Sequence, residues 1–104
     1  MIKITPSPKS VNGVIDVLSS MVGPVSASPD SLGCIASVER GKDGRLLYIE
    51  QWRTKEALAR HLRSNLFDRV LEALEYSSQP PEVDFFEVAS VSGLELVALA
   101  RAGE

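Results

Sequence analysis

Apolar positions in the first third of the chain shift from alternation to helical spacing. Met1 to Thr5 alternates weakly and holds two isoleucines, which predicts a first strand that Pro6 and Pro8 stop by removing backbone donors. Val11, Val14, Ile15, Leu18 and Val22 then recur on one helical face. The expected helix has Ser7 as its cap, Pro8 in its first position and Gly23-Pro24 as its end. The small polar stretch VSASPDS reads as a loop.

LGCIASVER carries apolar residues on both parities, as a strand covered on both faces does. Asp43-Gly44 supplies the positive φ of a tight hairpin turn into a second strand, RLLYIEQWR. That strand sets Leu46, Tyr48, Glu50 and Trp52 on one face, with Leu47 and Ile49 on the other. Thr54 caps the next helix, with Glu56 in its first turn, and Ala57, Leu58, His61 and Leu62 share a face. Ser64, followed by Asp68, is a second cap and predicts that this helix breaks and restarts through Leu66, Phe67, Val70, Leu71 and Leu74. Ser77 to Pro81 is an exit loop, VDFFEVASV alternates as a last strand, and residues 92–102 have the composition of a short terminal helix.

The order is βαββαβ, the ferredoxin-like arrangement of the α+β class: a four-stranded antiparallel sheet with helices on one face. Central strands with apolar residues on both parities need cover on the face the helices leave open. A second copy of the chain, packed sheet to sheet about a two-fold axis, supplies it. Glu50 and Glu87 among these residues predict a face that is partly wet or holds paired polar groups.

Composition narrows the partners. A chain of 104 residues, 44% hydrophobic, fills a single domain spanning 1–104. The net charge of −3 comes without a basic patch, which removes the electrostatic case for nucleic acid. No apolar stretch reaches the length of a membrane span and MIKITPSPK lacks a secretory core, so a cytoplasmic protein is expected. Cys34 has no partner for a disulfide, and one histidine with one cysteine predicts neither a metal site nor a metal cofactor. Nucleophile elbows, phosphate loops and dinucleotide fingerprints are absent from the sequence.

The string formed by Glu50, Trp52, Thr54, Glu56, Ala57, His61, Leu62, Ser64 and Phe67 resembles the signature of the antibiotic biosynthesis monooxygenase (ABM) domain. The resemblance implies a dimeric α+β barrel. It covers cofactor-independent oxygenases of polyphenols or quinols, haem-degrading enzymes, an isomerase of signalling molecules, and members with no known reaction. The haem-degrading branch has tryptophan where this chain has His61, and its iron-binding histidine aligns with Leu71, which cannot ligate iron. Many oxygenase-like members have a second histidine where this chain has Asn65.

The expected activity is therefore a cofactor-free monooxygenation of a small aromatic or quinol-like compound. His61 is the candidate proton acceptor, and Trp52, Tyr48, Glu50 and Phe67 are candidate substrate-binding residues. The alternative is a non-catalytic dimeric binding or stress-response module. The structural roles of His61 and Trp52 in the two cases are a helical histidine bonded to backbone or to Glu50, and a packing residue at a strand end. Arg53 and Arg60 read as solvated.

Overall fold

The computed structural model describes residues 1–39 and 44–103. Its elements are β1 (Ile2–Ile4), α1 (Val11–Ser26), β2 (Ser31–Val38), β3 (Leu46–Trp52), α2 (Lys55–Leu62), α3 (Asn65–Leu74), β4 (Glu82–Val83) and α4 (Leu94–Ala102). The four strands form one antiparallel sheet in the order β2-β3-β1-β4, the ferredoxin-like topology. Ile2 lies opposite both Tyr48 and Val83, and Ile35 lies opposite Ile49.

The core sits between the sheet and the helices. Ile2, Ile4, Cys34, Leu46 and Tyr48 point into it from the strands, and Val14, Leu18, Met21, Val25, Val70 and Ala73 meet them from α1 and α3. Each large side chain fully buried there contributes roughly 1.5–3 kcal/mol relative to exposure. That burial also explains a departure from the sequence reading of α1. The helix begins one turn later, with Ser10 at its N-cap, and continues through Gly23-Pro24 to Ser26. Pro24 forfeits one helical hydrogen bond, and the extra turn seals Val25 completely inside the core.

The joint between the helices agrees with the sequence. Thr54 Oγ1 accepts the Ala57 N–H at 3.0 Å, and Ser64 Oγ accepts the Phe67 N–H at 3.3 Å, so α2 and α3 are separately capped. The β2–β3 pairing confirms the hairpin, although Asp43 of its expected turn lies outside the described residues. Gly44 has φ +81°. A bulge between Ser31 and Gly33, where Gly33 takes φ +144°, sets the start of β2 against Trp52.

Two further expectations change. The last strand was expected to run from Val83 to Val91, yet it contains only Glu82 and Val83. Its final rungs are the Asp84 N–H to Met1 O bond, 2.9 Å, and the Met1 ammonium to Asp84 O bond, 2.7 Å. Beyond these rungs the alternating segment continues without regular structure to the start of α4. β2 is also not covered on both faces within one chain, since Ile35 on the face away from the helices is exposed. The segment from Phe85 through α4 buries no side chain. The Cα radius of gyration is 16.2 Å, against about 13 Å for a compact chain of this length, so this segment extends as an arm.

Candidate functional site

The β3 strand ends at the site. Its residues alternate, so Tyr48, Glu50 and Trp52 face the helices together. Three donors converge on the Glu50 carboxylate. The Tyr48 hydroxyl donates to Oε2 at 2.6 Å, the Trp52 indole Nε1–H donates to Oε1 at 3.0 Å, and His61 Nε2 lies 2.9 Å from Oε2. Both the His61 and Glu50 side chains are almost fully buried, and a buried charge needs such a set of partners.

The network assigns the histidine tautomer. A carboxylate only accepts, so the proton of a neutral His61 resides on Nε2 and the lone pair on Nδ1. Nδ1 has no hydrogen-bond partner among the described residues, and no fully buried nitrogen or oxygen there lacks one. Nδ1 is thus the ring nitrogen that the network leaves without a partner among the described residues. The ring is fixed on both sides: Trp52 lies tilted at 31° with centroids 4.8 Å apart, and Phe67 meets it edge-on at 5.4 Å. Ser64 Oγ also donates to the His61 carbonyl at 2.6 Å, tying the end of α2 to the start of α3.

His61 opens on a cleft of about 320 Å³ lined by Ser28, Pro29, Trp52, Ala57, Arg60, His61, Ser64 and Leu66. The space exceeds the roughly 150 Å³ that holds a benzene ring in an apolar protein cavity. A second hollow, of about 60 Å³ between α1 and the β2–β3 hairpin, has no titratable side chain in its lining.

The residues singled out from sequence divide into layers. Trp52 and His61 line the cleft, Glu50 stands behind His61, and Phe67 packs against the ring. Tyr48 is not in the lining; it is sealed in the core with its phenol on Glu50. Burial, with Cys34 and Glu50 beside it, pushes the Tyr48 phenol far above its ordinary value, so it remains a donor. The Cys34 thiol is pushed up as well, chiefly by burial.

The opposite wall was not legible from single residues. Ser28 and Pro29 come from the loop before β2, and Asp30 in that loop has φ +64°. Asp30 faces Arg53 Nε at 3.9 Å and Arg60 Nη2 at 3.6 Å, while its carbonyl accepts the Arg53 N–H at 2.8 Å. Both arginines are largely exposed, and Arg60 also lines the cleft. Counting back from a two-residue Asp43-Gly44 turn would set Ile35 opposite Trp52, whereas the observed pairing sets Ser31 there, so the sequence carried no signal for this wall.

The sequence profile of the antibiotic biosynthesis monooxygenase family matches residues 1–73. The chain belongs to that family. Among solved structures, an antibiotic biosynthesis monooxygenase is similar with a TM-score of 0.75 at 19% identity, covering 86% of this chain and 95% of its own. A Pseudomonas aeruginosa protein is similar with a TM-score of 0.71 at 27% identity, covering 85% and 90%. A family protein from Deinococcus radiodurans has a TM-score of 0.70 at 16% identity, covering 88% and 95%. No curated protein matches. The family match ends inside α3, so the ABM region contains every residue of the cleft and none of the C-terminal arm. No helix among the described residues is long and apolar enough to cross a membrane.

Proposed function

We propose that the chain is a cofactor-independent monooxygenase of a small aromatic or quinol-like compound, with His61 as its base. The observation that carries this reading is the Glu50–His61 bond, which leaves the Nδ1 lone pair of a cleft-lining ring without a partner among the described residues. A phenolic hydroxyl seated there donates its proton to Nδ1, and the Glu50 carboxylate stabilises the imidazolium that forms. Trp52 and Leu66 offer an apolar bed for the ring. The deprotonated ring is electron-rich enough to react with dioxygen directly. For a ring CH2 that becomes a carbonyl, one oxygen atom enters the product and the other leaves as water, with all four electrons drawn from the substrate.

The family model and the similarity to monooxygenase-named structures support this class of chemistry. Its test is oxygen consumption with reduced quinols or anthrone-like phenols in the wild type and in His61→Ala. A much slower rate in the variant is expected. Equal rates remove His61 from the mechanism, and no consumption by either protein favours a non-catalytic binding module.

The working unit we propose is a homodimer. Its support is the apolar surface one chain leaves uncovered: Ile35 on the open sheet face, and Phe85, Phe86, Val91 and Leu94 on the arm. Apolar surface arranged in this way is what a second copy buries.

A further inference from the structure

The cleft lining combines two chemically different polar groups, and the hydrogen bonds already made within the protein decide which of them remain for a ligand. Its polar lining side chains are Ser28, Ser64, Arg60, His61 and the indole of Trp52. Ser28 Oγ donates to the Pro24 carbonyl at 2.9 Å and Ser64 Oγ donates to the His61 carbonyl at 2.6 Å. Trp52 Nε1–H is spent on Glu50. What remains is one free ring acceptor, Nδ1 of His61, one free cationic donor, the Arg60 guanidinium, and the neutral acceptor lone pairs of the Ser28 hydroxyl.

Arg60 is available because its existing partner holds it weakly. Asp30 is 3.6 Å away, it is shared with Arg53, and all three side chains are substantially exposed. An exposed pair of this kind contributes about 0–1 kcal/mol. Two guanidinium groups facing one carboxylate also leave this rim of the cleft with a net positive charge. Arg60 is the one permanently charged side chain in the lining, and the remaining walls, Pro29, Ala57, Trp52 and Leu66, are apolar.

We infer that the cleft selects an aromatic hydroxy acid: a phenolic hydroxyl at His61 Nδ1 and, across the ring, a carboxylate or similar anion on Arg60. This assignment deepens the reading of His61 as base by naming the substrate class for the same cleft, and it makes Arg60 the specificity-determining residue. The anion takes the place of Asp30 on the guanidinium with the planar, two-point geometry that arginine offers a carboxylate.

Binding alone tests it. The single tryptophan and single histidine each give one reporter in an NMR titration of the full chain. The probes are 2,5-dihydroxybenzoate and its neutral counterpart 1,4-dihydroxybenzene. The wild type is expected to bind the acid about tenfold more tightly, the gain of one charge-assisted contact, with the preference shrinking as salt is raised. Arg60→Gln equalises the two affinities by weakening the acid only, whereas Arg53→Gln, which shares Asp30 without lining the cleft, keeps the preference. Equal affinities in the wild type, a preference that survives Arg60→Gln, or no response to either probe at millimolar concentration would each overturn the assignment. Turnover is not required, so a protein that consumes no oxygen yet prefers the acid through Arg60 retains this inference while losing the oxygenase reading. Oxygen consumption without the preference does the reverse.

Discussion

Glu50 and His61 meet at 2.9 Å between Oε2 and Nε2, with side chains only 7% and 4% exposed, although eleven residues and a strand–helix junction separate them along the chain. The pair is poised to hold a histidine in one tautomer and to accept positive charge on its ring. Glu50 has no such access of its own, because its two oxygens are already occupied by Tyr48, Trp52 and His61. In the proposed mechanism it is a positioning residue for His61.

Glu50→Gln separates orientation from charge. The amide oxygen can still accept the Nε2 proton, but a neutral group cannot stabilise the imidazolium. The maximal rate of oxygen consumption should fall about 100-fold, the lower end of what a positioned acid–base group contributes, with KM nearly unchanged. A rise in KM at constant maximal rate would instead assign Glu50 to substrate binding.

Alkaline pH should destabilise the fold through two neighbouring side chains, Cys34 on β2 and Tyr48 on β3. Unfolded, the Cys34 thiol and Tyr48 phenol ionise near their ordinary values of 9.0 and 10.0; folded, both are pushed higher. Above those values the unfolded chain binds fewer protons than the folded one, so stability falls as pH rises. Urea midpoints should therefore decline above about pH 9 and more steeply above about pH 10. Tyr48→Phe should remove most of the steeper part; an unchanged slope would place the responsible ionisation elsewhere.

Ending the chain after Asp84 should weaken the proposed homodimer, since it removes the apolar arm and leaves a second copy only the open sheet face around Ile35. The truncated chain keeps both Asp84–Met1 rungs of the sheet and every residue of the cleft, and loses Phe85 through α4. Sedimentation at micromolar concentration should give about twice the 11.3 kDa chain mass for the full protein and a single-chain mass for the truncated one. A full chain that sediments as a monomer would count against the homodimer.

The sheet order and the broken helix were legible because local signals carried them: alternation in β3, and hydroxyl caps at Thr54 and Ser64. The length of β4 was not, since alternation around Phe85 shows that a segment suits a sheet without showing that an edge lies beside it. Helix α1 outran its Gly-Pro stop because the burial of Val25 is a tertiary effect. In the site, strand parity placed Tyr48, Glu50 and Trp52 together. It did not distinguish Trp52, at the cleft, from Tyr48, two same-face positions back along β3 and sealed in the core. The Asp30–Arg60 wall depends on a loop conformation with positive φ at Asp30, which no periodicity encodes.

The break at Ser64 has a geometric consequence for ligand size. On one uninterrupted helix, five residues would turn Leu66 roughly 140° away from His61, and the two could not face the same space. Restarting the helix at Ser64 gives α3 its own axis and swings Leu66 back over the cleft. The serine acts as an elbow whose bend sets the opening between His61 and the apolar wall at Leu66, and because its hydroxyl holds both the His61 carbonyl and the first turn of α3, variation there shifts the two sides of the chamber together.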